Sequence, residues 1–175
     1  MNKTEALLTL FYVGKIKTAP GTFGSLASLI IFCLINELIF GRAESFNLLA
    51  SNIFWLITLI TLTILGSKLA ENYSQQQNGD IDHGSIVLDE FVGQVIASQI
   101  TINLIHFHEE LNQNQLYSIA ALILSFISFR IFDITKPLII GYMDNRLKTG
   151  FGVFFDDILA GIFAGISIYL LVSII

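Results

Sequence analysis

Six carboxylates in this chain sit where they could do chemistry together. The stretch "DHGSIVLDEFVGQ" (82–94) carries Asp82, Asp89 and Glu90, with His83 beside the first of them. "FRIFDITKP" (129–137) places Asp133 between Arg130 and Lys136, and "GFGVFFDDILAG" (150–161) carries the adjacent Asp156 and Asp157. Adjacent carboxylates repel unless something positive lies between them. With 14 acidic residues against 9 lysines and arginines, side chains alone cannot supply every partner. A divalent cation is the economical solution, and hard oxygen donors with no cysteine and little histidine favour Mg²⁺ over Zn²⁺.

A fourth stretch, "KIKTAPGTFGS" (15–25), brings Lys15, Lys17, Thr22 and Ser25 around a Pro-Gly turn. Carboxylates, a few cations and a turn of this kind suit phosphate chemistry. A metal bridges phosphate oxygens and lowers the pKa of a water that attacks phosphorus. Lys15 or Lys17, Arg130 and Lys136 can balance the transition-state charge, and backbone N–H groups of "APGTFGS" opening a helix can hold the phosphate. Lys17, Thr22, Ser25, Arg130 and Lys136 are therefore the substrate-binding candidates. Asp82, His83, Asp89 and Glu90 are the acid–base candidates.

Plainer readings exist for each group. Asp156 and Asp157 could cap the last helix and complement its dipole. Asp89 and Glu90 could be ion-paired to Lys68 or Arg130, and His83 could be a loop hydrogen-bonder. Thr22 or Ser25 could be an N-cap, and Arg130 and Lys136 mere anchors at a membrane surface. Convergence on one face outweighs these readings taken singly.

The elements that must position these groups are long and apolar. Hydrophobic residues make up 54% of the 175 and charged residues 13%, with mean hydropathy +0.72. Five uncharged windows, 18–36, 45–67, 91–108, 111–129 and 158–175, each approach the roughly 20 residues that cross a bilayer. The window 91–108 is the most polar. Glu90, Gln94, Ser98 and Thr101 recur along it at helical spacing, a stripe that should face other helices. We expect this helix to begin near Ser85; if it starts slightly earlier, Asp82, Ile86, Asp89 and Gly93 share a face. Asp157, Gly161 and Gly165 also align, and small residues at that spacing allow close helix contact. With a cytoplasmic N-terminus, eight basic residues lie inside and only Arg42 outside. All the candidate residues then share the cytoplasmic side.

The expected architecture is a single domain over 1–175. It is an all-α, membrane-embedded bundle of five or six helices with its active site at the cytoplasmic end. An acidic balance of −5 without a basic, aromatic-interleaved patch argues against nucleic acid. Cys33, the lone cysteine, lies within an apolar window, so a disulfide framework and a cysteine-nucleophile phosphatase are excluded. Histidine-based lipid phosphatases need two placed histidines, and only His83 is on the right side.

In order and spacing, "APGTFGSLAS", "DHGSIVLDEFVGQ", "FRIFDITKP" and "GFGVFFDDILAG" resemble the phosphatidylglycerophosphatase A family, from about Gly14 to Gly165. That resemblance implies a Mg²⁺-dependent enzyme of the bacterial inner membrane. It would hydrolyse phosphatidylglycerophosphate, a membrane phospholipid, to phosphatidylglycerol and phosphate in phospholipid biosynthesis. By similarity, Asp82, Asp89, Glu90, Asp133, Asp156 and Asp157 would supply the metal ligands and the catalytic base. The chain departs from the family's "KPxPIR" pattern, with Ile139 and Gly141 in place of its second proline and arginine, and has Thr149-Gly150 where a Gly-Gly pair is usual. If that arginine binds substrate phosphate, Arg146 or Lys148 must substitute for it, or the substrate preference differs. Two rivals are a carboxylate-lined transport protein, which would spread its acids toward the midplane, and a non-catalytic lipid-binding module.

Overall fold

The computed structural model describes residues 3–41, 47–76, 84–137, 140–142 and 149–173, and these are helical with no strand among them. Five long helices run as α2 (Pro20–Phe40), α3 (Leu48–Gln76), α4 (Leu88–Phe107), α6 (Gln115–Thr135) and α7 (Gly150–Val172). Two short ones, α1 (Lys3–Leu8) and α5 (Glu109–Gln113), lie at the N-terminal edge and between α4 and α6.

Local chemistry sets the helix ends. Pro20 opens α2 with its φ already helical, following a left-handed Ala19. The Asn114 side chain accepts from the Leu116 N–H to start α6, and the Thr149 side chain accepts from the Gly152 N–H to start α7. After Thr135 the chain turns through a left-handed Lys136, and Pro137 cannot continue a helix. One expectation is corrected here. α4 begins at Leu88 and not near Ser85, because the Val87 N–H donates to the Leu8 carbonyl at 2.9 Å. That bond holds the preceding residues out of the helix, so Ile86 does not share a helical face with Asp89.

Side-chain meetings fix the relative directions. Gly24 of α2 abuts Val87, just before α4, while Asn36 reaches Ser51 of α3, which reaches Gln99 of α4, so α2 and α4 are parallel. Gly93 of α4 lies against Asp157 and Gly161 of α7, and Gly165 against Ile100, so α4 and α7 are also parallel. α3 and α6 run the other way: Gly66 touches Leu88, and Arg130 meets Gly21 and Ser25. Three helix starts and two helix ends therefore gather at one end of the bundle.

α4 is the hub and contacts each of the other four long helices. Among the described residues, α2, the Leu48–Tyr73 part of α3, α6 and α7 are long and apolar enough to cross a membrane. α4 falls short of that test because of its own polar residues. The structure shows why the polarity is tolerated: Gln94, Ser98 and Thr101 are fully buried against protein. The five windows thus appear as four lipid-compatible helices around a polar fifth. The core beside α4 includes Phe32, Trp55, Leu88, Val95 and Phe154, with a second cluster of Ala97, Phe129, Ala160 and Ala164.

At the opposite end of the bundle an amide clasp joins three helices. Ser51 donates to Asn36 at 2.7 Å, Gln99 donates to Asn52 at 2.7 Å, and Asn52 and Asn103 exchange bonds at 2.9 Å. Such bonds hold apolar helices in register where the hydrophobic effect no longer distinguishes protein from lipid.

Candidate metal and phosphate site

Two glycines bring the acids together. A Cβ on Gly161 would lie 2.3 Å from the Gly93 carbonyl oxygen, and a Cβ on Gly93 2.5 Å from that of Asp157. Only bare backbone lets α4 and α7 approach so closely. Asp89 and Glu90 occupy the first turn of α4, and Asp157 lies about one turn before Gly161. Their carboxylates converge at this crossing, with one oxygen from each of Asp89, Glu90 and Asp157 within 4.8 Å of the others. Asp89 and Asp157 are buried, and Asp89 Oδ1 accepts from the Glu90 N–H at 3.0 Å. The Asp133 carboxyl group comes within hydrogen-bonding reach of Asp157.

Cations border this cluster. Arg130 Nη1 donates to Asp133 Oδ2 at 2.6 Å and to Ser25 Oγ at 3.2 Å, which ties α6 to α2. A Cβ on Gly21 would stand 2.3 Å from Glu90 Oε1 and 3.2 Å from Arg130 Nη2. The first turn of α2, with its partly positive N–H groups, therefore lies directly on both side chains. Lys136 pairs with Asp156 across from α6 to α7. Three-residue spacing would put Arg130, Asp133 and Lys136 on one helical face, but Lys136 has left the helix and reaches α7 instead.

The donor set fits a hard divalent cation. Three carboxylates meet without sulfur or imidazole among the described residues, and Glu90 Oε2 is buried without a hydrogen-bond partner. A buried carboxylate oxygen left so is costly unless a positive group reaches it. Asp133 and Asp156 each pair with a side-chain cation, Arg130 and Lys136 respectively.

The other sequence candidates fare variously. Thr22 is half-buried in the first turn of α2, and Ser25 is buried, donating to the Gly21 carbonyl at 2.8 Å while accepting from Arg130. Neither is an N-cap. Lys17 is exposed on the segment leading into α2. Lys15 is engaged by Glu5, whose hydrogen bond raises the lysine pKa above its usual value. Asp156 and Asp157 do not cap α7, since Thr149 does so nearly two turns earlier. Asp82 and His83 lie outside the described residues, as do Arg146 and Lys148.

Sequence reasoning missed Glu71. Its Oε1 accepts from the Gly150 N–H at 3.0 Å, where a Cβ on Gly150 would lie 2.2 Å from the Ser67 carbonyl oxygen. An acid on α3 thus anchors the start of the helix that carries Asp156 and Asp157. No local spacing signals a contact between residues 71 and 150.

Fold and site together define a multi-pass α-helical membrane protein with a cation-competent carboxylate cluster and a guanidinium at one end of its bundle. The family model for "Phosphatidylglycerophosphatase A" matches residues 6–172, and the chain belongs to that family. A Haemophilus influenzae protein named phosphatidylglycerophosphatase A is 35% identical over 169 residues, covering 97% of this chain and 88% of the relative. The Escherichia coli protein of that name is 30% identical, covering 96% and 83%. A Bacteroides thetaiotaomicron protein, provisionally named a phosphatidylinositol-3-phosphatase, is 35% identical over 86% of this chain and 81% of its own length. No solved structure matches the chain.

Proposed function

We propose that the protein hydrolyses the phosphate monoester of phosphatidylglycerophosphate, giving phosphatidylglycerol and phosphate, with Mg²⁺ held by Asp89, Glu90 and Asp157. The observation that carries this reading is the convergence of those three carboxylates beside Arg130 and the start of α2. When bound, the cation supplies Lewis acidity at the phosphate oxygens. Arg130, aimed by Ser25 and Asp133, binds the phosphate and offsets its developing charge. The N–H groups at the start of α2 face the same place. Asp133 and Asp156 border the cation as members of ion pairs, and Asp156 holds Lys136 toward the substrate. Asp82 and His83, on the connection leading into α4, are assigned to the proton transfers of the reaction. Lys17 and Thr22 contact the headgroup from the α2 side.

The site end faces the cytoplasm of a bacterial inner membrane, on the distribution of lysine and arginine between the two sides. Asp89, Glu90, Asp133, Asp156 and Asp157 gather at one end of the bundle, which favours this enzyme over a transport protein.

The test is phosphate release from phosphatidylglycerophosphate in mixed micelles, with Mg²⁺ or EDTA, for wild type and Asp157→Asn. Turnover that requires Mg²⁺ and disappears in a folded Asp157→Asn protein supports the reading. Wild-type turnover that survives EDTA would refute the metal site. Preference for phosphatidylinositol 3-phosphate or phosphatidate in a parallel panel would keep the phosphatase and reassign its lipid.

A further inference from the structure

Gln94 lies one turn beyond Glu90 on α4, on the same helical face, and is fully buried. Its Nε2 donates to Ser98 Oγ at 3.0 Å, which fixes the amide plane. Its Oε1 is buried without a partner. Glu90 Oε2, one turn away, is in the same condition. Side chains at this spacing stand about 5–6 Å apart at Cβ. One water donating a hydrogen bond to each oxygen would satisfy both. Ser98 can donate as well as accept, so the reversed amide would instead offer an N–H to the Glu90 side. Either orientation leaves one arm of the amide unused, one turn from a carboxylate oxygen that also lacks a partner. A glutamine is a poor core residue here unless that arm is used, because an unsatisfied buried amide oxygen costs about 1–3 kcal/mol.

We infer that Gln94 is a positioning residue for the phosphatase reaction: its amide holds Glu90 Oε2, through a shared water or directly, and so sets the orientation of that carboxylate in the site. The inference rests on the phosphatase reading above. Gln94 does not touch substrate; it acts through Glu90, as outer partners of metal-binding carboxylates do.

The test compares full-length wild type with Gln94→Met, a substitution that keeps the volume and removes both polar arms. Each is assayed for kcat and KM on phosphatidylglycerophosphate, and each is melted with and without Mg²⁺. A positioning role predicts a kcat about ten- to a hundredfold lower and a KM within twofold. The variant should still melt cooperatively without the cation, and the Mg²⁺-induced rise should be retained. An unchanged kcat overturns the inference, as does a variant that cannot fold, which would make Gln94 a packing residue. Loss of the Mg²⁺-induced rise overturns it differently, by making Gln94 a direct ligand. Wild type inactive on every phospholipid monoester would remove the phosphatase reading, and this inference with it; an active wild type beside a fully active Gln94→Met removes this inference alone.

Discussion

Replacing Gly161 by alanine tests the idea that backbone contact between α4 and α7 assembles the site. The new Cβ would start 2.3 Å from the Gly93 carbonyl oxygen and 3.2 Å from its Cα. Carbon and oxygen settle no closer than about 3.3 Å, so the helices must separate by roughly 1 Å. Neither clashing atom belongs to a side chain that can rotate away. Asp157 precedes Gly161 by one turn, and Glu90 precedes Gly93 by nearly one, so the displacement reaches the carboxylates almost undiminished. Overpacking of this kind costs about 1–3 kcal/mol, which a large bundle can absorb. A displacement of about 1 Å at reacting groups costs on the order of a hundredfold in rate. Gly161→Ala should therefore remain folded in detergent, melt a few degrees lower and lose about two orders of magnitude in kcat/KM. Ile166→Leu, on an exposed part of the same helix, should behave as wild type. A Gly161→Ala protein that melts normally and turns over within twofold of wild type would refute the reasoning.

Further outcomes follow from other contacts. Arg130→Lys keeps the charge but loses the planar fork that reaches both Ser25 and Asp133; kcat/KM should fall at least about tenfold, chiefly through KM. Glu71→Ala removes the acceptor at the Gly150 N–H and a negative charge at the start of α7. It should cost about 1 kcal/mol, read as a melting temperature lower by about 2–4 °C. EDTA should lower the melting temperature of wild type but not of Asp157→Asn, since a cation at a hundredfold its Kd contributes about 2.7 kcal/mol. Equal EDTA shifts in both proteins would place the cation elsewhere.

Much of the site was legible because its signals are local. Asp157, Gly161 and Gly165 share a face by spacing alone, and the structure sets that face against α4 at Gly93 and Ile100. The stripe of Glu90, Gln94, Ser98 and Thr101 implied a helix surrounded by protein, and α4 is that helix. What escaped depended on partners distant in sequence. The start of α4 is set by a bond from Val87 to Leu8, a residue 79 positions away that no propensity records. Lys136 lines up with Asp133 on a helical wheel, yet a left-handed turn sends it to Asp156. Glu71 gave no sign because its role is created by the arrival of Gly150.

The amide clasp at the far end of the bundle has a consequence for how the protein should respond to its surroundings. Asn36, Ser51, Asn52, Gln99 and Asn103 carry no group that ionises in water's working range, and their bonds involve no net charge for salt to screen. The far ends of α2, α3 and α4 therefore stay joined whatever happens to the carboxylates about 15 Å away along α4. Acid or a chelator can empty and loosen the site end while that end of the bundle stays closed. Inactivation by either should then reverse as quickly as ions diffuse, with no refolding step to wait for.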